Sequence, residues 1–363
     1  MNKRTRKFLE SMESDSYLVT NPDNVFYLSG FDGEGFLYIS PDTQLVITDS
    51  RYTVQARGEA PEYEVIDACG GYFKPLKDYV KKGEKLAFEK NHISFANYEA
   101  HLVPLEAELI PTGGQCEKLR MYKDSEEIEL ICTATDILKE TAEMFGCVQD
   151  GTKECEFANL IDFNMRSYAH TKIAFDTIVA FGDNAACPHH KPTDRIIEQG
   201  SMLKIDYGVS FKHYCADVTR TVFIGKPDDK FKEIYNIVKD AKDLAISEMA
   251  PGKTGGEIDK VARDYIAKYG YGDCFGHSLG HGIGVNVHDP GGLSPKNETE
   301  LKPGFVTSVE PGIYIEGWGG VRLEDDILIT QKGCMNLTSG IRQYDWSDAK
   351  ALKLEEKKQR LMM

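Results

Sequence analysis

The sequence predicts a two-domain α/β protein whose second domain carries a duplicated, acid-bearing hairpin. Three observations lead there: short apolar runs alternating with helical stretches over the first hundred residues, a turn-rich break near PTGGQ (111–115), and two matching Gly-to-acid-to-Gly segments further on.

In the first region SYLVT (16–20), FLYIS (36–40), QLVIT (44–48), YEVI (63–66) and KLAFEK (85–90) read as strands. YTVQARGEA and FANYEAHLV read as helical segments between them. No cluster of metal-binding or nucleophilic residues falls here. The linker is followed by a capping-box signature, Asp124 with Glu127, and by Ile128, Ile131, Thr135, Leu138, Ala142 and Phe145 at helical spacing. That helix opens the second domain. Further helices are expected near 153–167, 228–248 and 255–269, and strands near 173–180, 201–207, 217–224, 284–288, 305–310 and 321–330.

Composition narrows the function classes. A net charge of -15 disfavours nucleic acid and anionic membrane as partners, since both repel an acidic surface. The N-terminus MNKRTRKFLESMESDSY lacks the apolar core of a signal peptide, and no apolar run has the length of a membrane span. Nine scattered cysteines, never spaced CxxC, fit neither a disulfide framework nor a thiolate zinc site. A cytoplasmic location is expected.

The internal repeat carries the chemistry. Gly200 stands six residues before Asp206 and Gly208 two after; Gly304 stands six before Glu310 and Gly312 two after. Asp217 and Glu324 then begin the return strands, 11 and 14 residues beyond the first acids. A lone acid at a strand end is ordinarily a solvated turn residue. Four at matched positions in apolar strands would meet at one point, repel one another and protonate unless cations were present. Two divalent ions balance four carboxylates. His277, His281 and His288, in the glycine-rich FGHSLGHGIGVNVHDPG, offer imidazole for a fifth ligand. Four carboxylates and one imidazole suit Mn²⁺, with Co²⁺, Fe²⁺ and Zn²⁺ as alternatives.

The segments PHHKPTD (188–194), KIDYGVSFKHYCADVTRT (204–221), HSLGHGIGVNVHD (277–289), SVEPGIY (308–314) and VRLEDDILIT (321–330) resemble the metal-dependent Xaa-Pro peptidases, the aminopeptidase P and prolidase group. The resemblance implies a creatinase-like N-terminal α/β domain over 1–115 and a pita-bread catalytic domain with pseudo-two-fold symmetry over 120–350. It further implies that Asp206 binds one metal, His281 and Glu310 the other, and that Asp217 and Glu324 bridge them. All five ligands are present, unlike in the metal-free creatinases or in peptidase-like binding modules that have lost them.

The implied reaction is hydrolysis of the bond between an N-terminal residue and a following proline, by a hydroxide bridging two metals about 3.5 Å apart. Glu310 would accept the proton, His288 would face the oxyanion, and His189 would contact substrate near the leaving group. His277 and Arg322 would orient the ligands; His190 carries no assigned role. Prolidases commonly place an arginine four residues after the histidine equivalent to His288. Gly292 stands there, which favours an aminopeptidase acting on longer peptides over an Xaa-Pro dipeptidase. Methionine aminopeptidase, creatinase chemistry and a non-catalytic binding module are the remaining alternatives. Peptides with proline in second position are the expected partners, and family habit implies a homodimer.

Overall fold

The apolar runs of the first hundred residues become strands of one sheet. A computed structural model describes residues 1–148 and 151–342. Ser16–Val19 (β1), Gly35–Ile39 (β2), Gln44–Thr48 (β3), Glu64–Asp67 (β4), Lys85–Glu89 (β5) and Glu108–Thr112 (β6) lie in the order β4-β3-β2-β1-β5-β6. β6 was not anticipated, because its residues include Pro111 of the expected linker. It is an edge strand, where a proline's missing N–H costs no ladder bond. Leu18, Leu45, Ile47, Leu76 and Leu86 form the buried core against this sheet. The chain clusters into two compact units, residues 1–120 and residue 121 onward.

The second unit repeats one plan twice. Helix Ser125–Ala142 and helix Glu154–Arg166 precede Thr171–Ile173 (β7), Ile178–Phe181 (β8), Ser201–Phe211 (β9) and Tyr214–Ile224 (β10). Helix Asp229–Glu248 and helix Gly255–Lys268 then precede Gly280–Gly282 (β11), Asp289–Leu293 (β12) and Val306–Val309 (β13). Gly312–Ile315 (β14), Gly319–Arg322 (β15), Asp325–Thr330 (β16) and Gly333–Asn336 (β17) complete it. One sheet runs β10-β9-β7, with β8 also on β9; the other runs β12-β11-β13-β16-β17. Each helix pair covers its own sheet: Ile131 lies buried on the first helix, Leu138, Phe157 and Ile161 pack with Ile205 and Val218, and Ile234, Val238 and Ile258 pack with Val309 and Ile327. The part of the expected catalytic domain at 343–350 lies outside the described residues.

The capping box that opens this unit is formed, Glu127 N donating to Asp124 Oδ1 at 3.1 Å and Asp124 N to Glu127 Oε2 at 2.9 Å. Three expectations change. The strand expected near 173–180 is broken into β7 and β8, with residues 174–177 outside either. The second hairpin is interrupted: β13 pairs with β16, and the longer spacing between its acids is taken up by the excursion β14–β15. The strand expected at 284–288 is a loop. Asn286 accepts from Gly284 N through its carbonyl and from His288 N through its side chain, and Gly284 O accepts from Cys215 N. Those local bonds compete with a strand ladder. No helix among the described residues is long and apolar enough to cross a membrane, and Cys69, Cys116, Cys132, Cys155, Cys187, Cys215, Cys274 and Cys334 are free.

A buried charge cluster joins the two halves. Arg220 of β10 donates to Asp325 Oδ1 of β16 at 2.8 Å, Lys242 pairs with Asp325 Oδ2, and Thr338 Oγ1 adds a bond at 3.0 Å. Burial would raise the Asp325 carboxyl, but Arg220 and Lys242 hold it well below the usual carboxylate range. Removing one partner of a buried pair strands the other charge, at a cost of about 3–5 kcal/mol. Asp325→Ala is therefore expected to lower unfolding free energy by that amount in urea denaturation. A change under about 1 kcal/mol would contradict the role assigned to the cluster.

Candidate metal centre

Strand register sets the acids. Asp206 lies opposite Thr219, and Asp217 lies opposite Gly208, two residues along the same strand. Alternate residues share a face of a sheet, so both carboxylates project to one side. In the second copy Glu310 follows β13 and Glu324 precedes β16, one step beyond the pair Val309↔Asp325, and so they face each other. The copies meet where Thr219 Oγ1 donates to Glu324 Oε2 at 2.6 Å and Glu324 N to Thr219 O at 3.1 Å. Asp217 N donates to Asp326 Oδ2 at 2.9 Å across the same seam.

β11 brings the imidazole. His281 Nε2 lies 3.6 Å from Asp217 Oδ2 and 3.4 Å from Glu310 Oε1. Asp217, His281 and Glu324 each present a ligand atom, all within 4.8 Å of one another. With Asp206 and Glu310 they line a single cavity of about 270 Å³. Asp206 is drawn toward the guanidinium of Arg322, which also approaches Glu310 Oε2 at 3.8 Å.

The donor set fits divalent cations on two observations. Asp206 Oδ1, Asp217 Oδ1 and Glu324 Oε1 are buried without a hydrogen-bond partner, an unusual condition for carboxylate oxygens. His281 Nδ1 contacts Gly282 O at 3.2 Å, so the proton sits there and Nε2 is left as an acceptor facing two carboxylates. Acceptors facing acceptors call for a cation between them. Burial, Glu324 and Asp206 push the Asp217 carboxyl well up, burial, Glu310 and Asp206 do the same to Glu324, and burial raises Glu310 to about 8 against the opposing pull of Arg322. Oxygen-rich sets of this kind suit Mn²⁺ and its neighbours.

The remaining sequence-selected residues divide into two groups. His277 and Arg322 are joined through Tyr314: Arg322 Nη1 donates to Tyr314 Oη at 3.0 Å, and Tyr314 bonds His277 Nε2 at 2.9 Å. His277 Nδ1 donates to Ser278 O at 2.8 Å, so Tyr314 is the donor to Nε2. Burial keeps His277 neutral, with its pKa down at about 4. Arg322 Nε also donates to Thr219 Oγ1 at 3.0 Å, and its guanidinium thus ties both hairpins together. Tyr314 escaped the sequence reading although it closes the segment SVEPGIY.

His189 and His288 line both the 270 Å³ cavity and an adjoining one of about 350 Å³. The His288 ring stands edge-on to His281 with centroids 4.4 Å apart. His190 instead bonds the buried Glu154 at 2.9 Å. Gly292 lines the larger cavity at φ +139°, and a Cβ there would lie 3.0 Å from Gly280 O and 3.2 Å from His281 Cα. Backbone conformation and space both close that position to an arginine.

Comparison with known proteins follows the same lines. The model of metallopeptidase family M24 matches residues 129–331, and that of the creatinase/prolidase N-terminal domain matches residues 2–122. An Xaa-Pro dipeptidase of Pyrococcus furiosus is 36% identical over 93% of this chain and 97% of its own length. The structure of an Xaa-Pro dipeptidase from Bacillus anthracis superposes with a TM-score of 0.87 at 39% identity, covering 93% of this chain and 96% of that one. That of an X-Pro aminopeptidase from Thermotoga maritima gives 0.83 at 37%, covering 93% and 98%.

Groups whose pKa is raised by folding stabilise fully below their unfolded value and lose that contribution as pH rises through the folded one. For Asp217, Glu324 and Glu310 the window opens near the ordinary carboxylate range and extends to about 8 for Glu310. With chelator present, the melting temperature is expected to fall from pH 5 toward pH 8, and Mn²⁺ is expected to abolish that fall. A pH profile unchanged by Mn²⁺ would argue against the cluster as a cation site.

Proposed function

The chain belongs to metallopeptidase family M24, and from that premise we propose that it is a metal-dependent Xaa-Pro dipeptidase. The observation that carries the substrate class is whole-length similarity, at 36% and 39% identity, to proteins named for that activity. Gly292 had favoured the aminopeptidase reading, and the Thermotoga maritima relative keeps it as the second one. The dipeptidase relatives outweigh a single position.

Asp206, Asp217, His281, Glu310 and Glu324 would hold two divalent cations, most simply Mn²⁺. When bound, such ions polarise a carbonyl and lower the pKa of water, the chemistry amide hydrolysis requires. Glu310, between His281 and Arg322, takes the proton released as the nucleophile adds and passes it toward the departing proline nitrogen. His288 donates to the oxyanion that develops at the scissile carbonyl. Partial burial and the neighbouring His281 lower its pKa, which favours the neutral ring, whose N–H is a donor.

The ring nitrogens of His189 and His288 make no hydrogen bond among the described residues and are available to substrate. Arg322 is already engaged by Asp206, Thr219 and Tyr314. A dipeptide carboxylate would therefore be met by His189 rather than by an arginine. Proline removes the amide hydrogen that ordinary peptidases grip, so recognition rests on the ring and its carboxylate.

The direct assay compares an Xaa-Pro dipeptide with an Xaa-Pro-Yaa tripeptide in Mn²⁺. Faster release from the dipeptide is expected; turnover of the tripeptide alone would return the second reading. Glu310→Ala should abolish turnover, and His288→Ala should lower kcat about 10²–10³-fold with the fold retained. An active Glu310→Ala variant would refute the mechanism.

A further inference from the structure

His189 stands on the segment between β8 and β9, where nothing bonded to its own ring fixes it. Two buried opposite charges grip the backbone on either side. Glu154, wholly buried at the start of its helix, accepts on Oε1 from Phe181 N at 2.7 Å and Asn184 Nδ2 at 2.9 Å. Its Oε2 accepts from Thr193 N at 3.0 Å, Thr193 Oγ1 at 2.7 Å and His190 Nε2 at 2.9 Å. Lys204 of β9, equally buried, donates to the carbonyls of Cys187 at 2.6 Å, Ala185 at 3.2 Å and Pro188 at 3.3 Å.

The division of labour is complete. The carboxylate collects the segment's N–H and O–H donors, and the ammonium spends its three donors on the carbonyls just before His189. Lys204 makes no ion pair among the described residues. Burying an ammonium on neutral acceptors is costly, and an apolar residue of similar size would hold a strand core at less expense. Lys204 spans three carbonyls in one short stretch, whereas Arg322 Nη1 reaches only one of them, Pro188 O at 3.3 Å.

We propose that Glu154 and Lys204 are positioning residues for His189, a carboxylate and an ammonium that together fix the backbone from which its ring reaches substrate. The inference rests on the peptidase reading above for its kinetic test. Misplacement of a substrate-contacting group by about 1 Å costs on the order of 10²-fold in rate. Lys204→Met keeps the packing and removes the donors, so kcat/KM on an Xaa-Pro dipeptide should fall about 10–100-fold with Mn²⁺ affinity unchanged. Lys204→Arg should recover part of the loss.

The decisive readout is the His189→Ala background, where Lys204→Met should cost less than about twofold because the group it positions is gone. An equal loss in both backgrounds, an unchanged rate in wild-type background, or weakened Mn²⁺ binding would each overturn the proposal. Should Lys204→Met not fold, Thr193→Val carries the test. It removes, at an exposed residue, the hydroxyl bond to Glu154 and the one Thr193 Oγ1 accepts from Arg195 N, and should lower kcat/KM about 2–10-fold, again only when His189 is present; no loss overturns the proposal. If the wild type turns over no Xaa-Pro peptide, the peptidase reading fails by itself. Amide exchange over residues 185–190 then reads the clamp directly, with faster exchange in Lys204→Met or Thr193→Val expected and unchanged exchange overturning it.

Discussion

Four carboxylates converge on one buried point, and their mutual repulsion is the constraint that the second unit is organised around. No single hairpin could supply them at that density. The duplicated plan solves the problem by delivering two acids from each copy and meeting along β10 and β16. The seam must then hold like charges together. Thr219 and Arg322 bond across it, and the Asp325, Arg220 and Lys242 cluster fastens it a few residues away. Arg322 offsets only part of the acidic charge, and cations are the remaining means of satisfying the orphaned oxygens.

What was legible in the sequence follows from how local each signal is. The glycine-acid-glycine spacing exposed the repeat, since matched turns and strand ends leave marks within ten residues. Asp206, Asp217, Glu310 and Glu324 emerged from it before any family was considered. Choosing His281 among three nearby histidines needed the resemblance, because spacing alone does not distinguish a strand residue from one on the following loop. The loop itself was read as a strand: the Val-Asn-Val-His alternation at 285–288 looks like β-structure, and only the bonds made by Asn286 show otherwise. Tyr314, Glu154 and Lys204 stayed hidden because their roles are fixed by partners far away in sequence. β6 stayed hidden because a proline was read as ending structure when an edge strand tolerates it.

On the proposed reading, substrate choice lies on the histidine side of the site. Gly292, in β12 opposite His281, has a positive φ that favours glycine, so the absence of an arginine there is built into the β11–β12 pairing. His189 and His288 line both cavities, and on the dipeptidase reading proposed above the substrate carboxylate would be met by imidazole. A histidine used this way depends on where its backbone stands. That dependence links the buried charges of Glu154 and Lys204 to the reaction at the acids, through the chain between β8 and β9.

The most direct measurement is anomalous diffraction from crystals grown with Mn²⁺. Two peaks are expected in the acid-lined cavity, one beside Asp206 and one beside His281 and Glu310, with Asp217 and Glu324 between them. No peak at these residues, or a peak held elsewhere on the chain, would contradict the assignment of this cluster as a dinuclear metal centre.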